Sequence, residues 1–176
     1  MTEFPYQRVL VIGCPGAGKS TFARALQACT GLPICHLDLL FWRADKTTLS
    51  REEFLPKVRE VLSTDRWIMD GNYSFSMAER LTRADAVFFF DLPAEMCLDG
   101  VRKRRNRPRP DMPWIETEED AEFTAFIRTF GTERRPKILQ LLAERPGIPV
   151  VTFHTRAEAD AYLSGLKATQ NETHFS

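Results

Sequence analysis

Three glycines, Gly13, Gly16 and Gly18, fall within one short stretch that ends in Lys19, Ser20 and Thr21. Glycines at this spacing let the backbone curl until successive N–H groups converge on one point, which makes a cradle for an anion. The full run Gly13-Cys14-Pro15-Gly16-Ala17-Gly18-Lys19-Ser20 fits the phosphate-loop pattern GxxxxGK[ST]. It stands directly after an apolar strand, Val9–Ile12, and directly before a helix, the context in which the pattern carries chemistry. The helix adds its positive N-terminus to the same anion. Gly13, Pro15, Gly16, Ala17 and Gly18 shape the cradle, Lys19 is aimed at the β- and γ-phosphates of a nucleotide, and Thr21 at the α-phosphate. The Ser20 hydroxyl has the chemistry of a Mg²⁺ ligand. ATP and Mg²⁺ are the expected cofactors.

A nucleotide-bound Mg²⁺ needs acidic support from the carboxyl ends of neighbouring strands. Asp70 ends the strand Trp67-Ile68-Met69-Asp70 and is read as the carboxylate that holds the metal through water. Asp38 ends the second strand, after His36 and Leu37, and is read as the group that orients or deprotonates a phosphoryl acceptor. Asp91 ends the fourth strand, but Leu92-Pro93 follows at once, so it reads as the cap of the helix from Ala94. His36 lies in an apolar strand and reads as a satisfied structural histidine.

Six of the eight residues from Arg102 to Arg109 are basic, and an acidic run, Glu116 to Glu122, follows. Phosphoryl transfer spreads negative charge over equatorial oxygens, so cations must close over the phosphates. Arg104, Arg107 and Arg109 are candidates for that role, joined by Arg128, Arg134 and Arg135 on the returning segment. Pro108, Pro110 and Pro113 prevent one continuous helix. The pattern predicts a lid over about residues 102–122. Mutual repulsion of the arginines predicts that this segment is the most mobile internal part of the free protein and orders when ATP binds.

The elements that must position these groups are legible as five short apolar runs: Arg8–Ile12, Pro33–Leu37, Trp67–Asp70, Ala86–Asp91 and Ile148–Phe153. Several are continuously apolar, as parallel strands covered on both faces are. Helices are predicted at Lys19–Thr30, stopped near Gly31, and at Ser50–Ser63, where Ser50 and Glu53 form a capping box. Others are expected at Ala94–Arg105, at Glu118–Ala143 with a break near Gly131 or Pro136, and at Arg156–Lys167. The tail from Ala168 is polar and expected to fray. Alternation of strand and helix predicts an α/β three-layer sandwich in one domain.

The chain has 176 residues and a formal net charge of zero, which removes any global electrostatic reason to bind nucleic acid or an anionic membrane. Its basic block lacks interleaved aromatics for base stacking. Cys14, Cys29, Cys35 and Cys97 form no CxxC or zinc-type cluster and read as reduced, buried thiols. The N-terminus lacks the charged and apolar regions of a signal peptide, and the longest apolar run is far below the ~20 residues of a membrane span. A cytoplasmic location is expected.

The segments Gly13–Thr21, His36-Leu37-Asp38, Phe41-Trp42, Asp70-Gly71-Asn72-Tyr73, Asp91-Leu92-Pro93 and Arg109-Pro110-Asp111-Met112 together resemble the bacterial adenylate-kinase-related P-loop proteins commonly labelled topology modulation proteins. The resemblance spans about Arg8 to Leu163. It implies the nucleoside-monophosphate-kinase fold with a five-stranded parallel sheet of order 2-3-1-4-5. It also implies that Asp70-Gly71 matches the Asp-Gly after the third strand of adenylate kinases, and Arg104 an arginine at their lid entry. Asn72-Tyr73-Ser74 replaces their Phe-Pro-Arg, so the arginine that binds AMP is missing, and the arginine that stacks on adenine falls at Gly100. Shikimate and gluconate kinases are similar in scale and place an aspartate as Asp38 is placed. Acceptor contacts are expected between Asp38 and Arg83, with Trp42, Arg43, Tyr73 and Arg80 as candidates.

These residues predict an ATP-dependent kinase that moves the γ-phosphate onto a small-molecule or nucleotide acceptor. An ATPase, or a nucleotide-regulated DNA-associated protein affecting DNA topology, is the rival reading.

Overall fold

The computed structural model describes residues 4–173, with side chains described through residue 167. Five strands, β1 (Arg8–Gly13), β2 (Ile34–His36), β3 (Trp67–Asp70), β4 (Ala86–Phe90) and β5 (Val150–Phe153), form one parallel sheet of order β2-β3-β1-β4-β5. The fold class and strand order are those expected. Val9, Leu10, Val11 and Ile12 are all 0% exposed, although successive side chains point to opposite faces, so helices cover β1 on both sides. β4 is buried throughout in the same way. β5 is an edge strand that begins at Val150, although the Pro149 carbonyl just before it already accepts from Val87 N of β4 at 3.0 Å.

Eight α-helices surround the sheet among the described residues: α1 (Lys19–Thr30), α2 (Leu37–Phe41), α3 (Arg51–Leu62), α4 (Ser74–Leu81), α5 (Ala94–Arg104), α6 (Ala121–Thr129), α7 (Arg135–Ala143) and α8 (Arg156–Thr173). α1 stops at Gly31, whose φ of 69° closes the helix in the left-handed region. α3 opens on the expected capping box: Glu53 N donates to Ser50 Oγ, and Ser50 N donates to Glu53 Oε2. The long helical stretch breaks where expected, since a π-helical turn, Phe130–Arg134, joins α6 to α7 around Gly131. The α8 backbone runs as helix to Thr173, and the last residues of the tail expected to fray, 174–176, lie outside the described residues.

Two short helices, α2 and α4, escape sequence reasoning because each is too short to display a period. Both matter, since they carry Asp38 and follow Tyr73. None of the four cysteines is in a disulfide among the described residues; Cys14 and Cys97 are buried, Cys29 and Cys35 half-buried. No described helix is long and apolar enough to cross a membrane.

Candidate active site

The carboxyl ends of β1, β2 and β3 converge because the strands are parallel and in register: Val11 lies opposite Asp70, and Asp70 opposite His36. The phosphate loop leaves β1 at Gly13, where φ is 140° and an added Cβ would sit 2.3 Å from the Phe90 carbonyl oxygen. Gly16 is equally constrained, since its Cβ would lie 2.1 Å from the Cys97 carbonyl oxygen of α5. Asn72, overlooked in the sequence, clamps the loop entrance. Its Oδ1 accepts from Gly13 N at 2.9 Å and its Nδ2 donates to Gly13 O at 2.5 Å. Lys19 donates to the Cys14 carbonyl at 3.0 Å, inside the loop it serves. Burial lowers the Lys19 pKa, opposed by the nearby carboxylates of Asp70 and Asp38.

Ser20 and Asp70, expected around the metal, meet directly: Ser20 Oγ donates to Asp70 Oδ2 at 2.5 Å. His36 Nδ1 reaches the same oxygen at 2.7 Å, so the buried histidine is satisfied by the very carboxylate of interest. Asp70 Oδ1 is buried and has no hydrogen-bond partner among the described residues. An orphaned carboxylate oxygen beside a serine hydroxyl fits a Mg²⁺ site that draws its remaining ligands from water and phosphate. Among the described residues no cluster of three His, Cys, Asp or Glu could hold a metal ion.

Asp38, in α2, faces the same cleft. Tyr73 Oη donates to its Oδ1 at 2.5 Å, and Oδ2 has no partner among the described residues. Burial raises the Asp38 pKa, while the Tyr73 hydrogen bond opposes the rise. Burial and the adjacent Asp38 carboxylate push the Tyr73 pKa upward, which keeps its hydroxyl a donor. Tyr73 itself has a left-handed φ of 39°, held at the start of α4. The surrounding cleft, ≈1540 Å³ in volume, runs from the phosphate loop past Asp38 to Trp42 and the segment 105–120.

Among the proposed acceptor residues, Trp42 and Tyr73 line this cleft, and Arg43 and Arg80 do not. Arg43 is exposed and turned toward Thr47, the Thr48 carbonyl and Glu53. Arg80 is fully buried; it donates to the carbonyls of Gly71 and Asn72 and to Ser76 Oγ, and so braces the turn that carries Asn72 and Tyr73. Burial lowers its pKa to about 10.

The chain matches no protein-family model and no curated protein sequence. Its backbone superposes on solved structures. A shikimate kinase from Acinetobacter baumannii in complex with shikimate gives a TM-score of 0.61 at 16% identity, covering 94% of this chain and 95% of that one. A shikimate kinase from Bacteroides thetaiotaomicron gives 0.56 at 17% identity over 94% and 99% of the two chains. A gluconokinase from Sinorhizobium meliloti 1021 gives 0.55 at 16% identity over 99% and 98%. The fold is a P-loop kinase fold.

The segment 105–120 carries no helix or strand and contributes to the lining of the cleft. Its arginines do not simply repel one another, contrary to expectation. Glu116 accepts from Arg104 Nε and Nη2 at 2.9 and 2.8 Å, and Asp111, only 2% exposed, pairs with Arg109 and with Arg24 of α1. The acidic residues that follow the block neutralise part of it, a pairing that only folding brings about. Arg104, Arg109 and Arg134 line the cleft; Arg107 and Arg128 are exposed and do not. Arg135 pairs with Asp91 at 2.7 and 2.9 Å, away from the cleft lining. Asp91 is therefore not the expected cap; Pro93 occupies that position and no side chain caps α5. Arg156, missed in the sequence, joins the phosphate loop to α5 by donating to the carbonyls of Gly16 and Met96, both at 2.8 Å.

Proposed function

We propose that this protein is an ATP-dependent kinase that transfers the γ-phosphate to a hydroxyl group of a small molecule. The observation that carries the reading is Asp38: a tethered carboxylate with one free oxygen, in the same cleft as Lys19 and Ser20. A hydrolase has no need of a second, aromatic-walled compartment beyond that carboxylate. The structural neighbours named as shikimate kinases and a gluconokinase support the same class of activity.

The loop N–H groups and Lys19 bind the triphosphate and draw charge from its β- and γ-oxygens. Mg²⁺, held by Ser20 and through water by Asp70, would neutralise the β,γ-oxygens when bound. Asp38 accepts the acceptor's hydroxyl proton on the oxygen that Tyr73 leaves free, and Tyr73 fixes the direction of that oxygen. Arg104 and Arg109 supply cations above the transferred group, and closure of the lid excludes water.

Labelled ATP titrated into the wild type and Lys19→Ala with Mg²⁺ tests the nucleotide assignment; equal affinity refutes it. ATP consumption over a panel of hydroxyl compounds tests the kinase reading. Brisk acceptor-independent hydrolysis would favour an ATPase. Duplex binding that weakens steeply with salt, with no acceptor effect, would favour the DNA-associated role that the topology-modulation label suggests.

A further inference from the structure

The acceptor compartment is walled by aromatic rings. Phe41, Trp42, Tyr73, Phe75 and Trp114 all line it. Trp42 from the α2 turn and Trp114 from the lid segment meet edge to face, with centroids 5.4 Å apart at 73°. Phe41 packs on Trp42 at 5.8 Å and on Tyr73 at 4.9 Å. The indole Nε1 of Trp114 is buried and has no hydrogen-bond partner among the described residues. A buried, unpaired donor costs free energy unless a ligand supplies the acceptor.

Several arginines around the cleft are already engaged, although Arg134 of its lining keeps a buried Nε without a partner among the described residues. Arg43 is drawn outward to Thr47, Thr48 and Glu53. Arg80 is buried on the carbonyls of Gly71 and Asn72. Arg24 and Arg109 share Asp111, and Arg109 also reaches Glu116 at 3.5 Å. Lys46 is exposed and lies 5.3 Å from the Trp114 ring centroid. A carboxylate or phosphate on the acceptor would have to draw Arg24 or Arg109 out of its ion pair with Asp111 or rely on exposed Lys46, and would also face the Asp38 carboxylate. A neutral, flat ring would instead bury apolar area against the aromatic wall at no such cost.

We propose that the acceptor is a neutral alcohol bearing a flat, heteroatom-containing ring, of the chemical class of nucleosides and heteroaromatic alcohols. This rests on the kinase reading above. The ring lies against Trp42 and Trp114, and a ring or carbonyl heteroatom accepts from Trp114 Nε1. The hydroxyl sits at the free oxygen of Asp38. In the transfer its O–H proton passes to Asp38, its oxygen forms the new bond to the γ-phosphorus, and the bond to the β,γ-bridging oxygen breaks. ADP leaves with that electron pair.

The test measures ADP release from Mg·ATP with adenosine, cytidine and pyridoxine on one arm and shikimate, gluconate and AMP on the other. Calorimetric titration of each compound runs in parallel. A neutral ring alcohol should stimulate release. Trp114→Phe, which keeps the ring and removes the donor, should raise its KM by roughly tenfold with little change in kcat, and Trp42→Ala should raise it further. The nucleoside and pyridoxine results separate the two sources of such a ring. Stimulation by the anionic compounds alone overturns the proposal, as does a Trp114→Phe KM equal to wild type. So does the absence of heat from every ring alcohol at millimolar concentration while ATP binds. Binding of a ring alcohol without a phosphorylated product would leave the aromatic subsite standing and defeat the kinase reading instead.

Discussion

Replacing Glu116 by Gln should loosen the segment 105–120, the proposed lid, by a predictable amount. Glu116 holds Arg104 through two hydrogen bonds and touches Arg109, and the Arg104 and Glu116 side chains are only 21% and 15% exposed. The substitution keeps shape and one acceptor but removes the charge. Hydrogen bonds to charged groups contribute about 1.5–3 kcal/mol each, and losing one such contribution should favour opening by that amount. At 1.36 kcal/mol per factor of ten, the open population should rise roughly 10- to 150-fold. Two amides report on it: Asn106 N, which donates to the Glu116 carbonyl at 2.7 Å, and Arg107 N, which donates to the Arg104 carbonyl at 3.1 Å. Hydrogen exchange at these amides should accelerate by the same factor where opening is at equilibrium. A non-hydrolysable ATP analogue with Mg²⁺ should slow exchange in both proteins, because phosphate replaces carboxylate as the counter-charge. Glu118→Gln, at an exposed position outside the ion pairs, is the control and should change nothing. Unchanged exchange at Asn106 and Arg107 in Glu116→Gln would refute the idea that these internal pairs hold the lid. Slow exchange that nucleotide does not alter would refute the lid itself.

Asp38→Asn should abolish transfer yet stabilise the fold. Burial raises the folded pKa of Asp38, so its favourable contribution is complete below the unfolded value near 4 and is lost as pH rises through the folded value. Tm of the variant should exceed wild type at pH 7, and the gap should close as pH falls toward 4; a lower Tm at pH 7 would contradict this. The pH profile of kcat/KM, which reports the free enzyme, should rise through an Asp38 limb lying above the usual carboxylate range and fall through a Lys19 limb below the usual lysine range, since burial raises the one and lowers the other. An acid limb at the ordinary aspartate value would remove Asp38 as the base. Arg80→Leu should cost roughly 2–4 kcal/mol in urea unfolding, because it strands the carbonyls of Gly71 and Asn72; a loss below about 0.5 kcal/mol would mean the turn is held otherwise. Arg43→Ala should leave the acceptor KM unchanged, because its side chain points away from the cleft.

The phosphate loop was legible in the chain because its chemistry is local: Gly13 to Thr21 are contiguous, and the flanking apolar run and helix determine their geometry. The sheet order followed from resemblance, and the strand positions from continuous apolar runs that only two-sided burial explains. Asp70 and Ser20 could be paired in advance because both stand at ends of strands or helices whose relative placement the parallel sheet dictates. The direction of long side chains was not legible. Arg43, Arg80, Arg104 and Arg135 are alike in sequence, but one points to solvent, one is buried on backbone carbonyls, and two find carboxylates 12 and 44 residues away. The choice depends on which acceptor folding brings within reach, and a guanidinium several bonds from its Cα can satisfy many. The clamp of Asn72 on Gly13 and the bracket of Arg156 on Gly16 span 59 and 140 residues, so no local pattern could announce them. What tertiary structure decided is therefore which charges remain free to meet a substrate, because desolvation and pairing are properties of the packed chain and not of its composition.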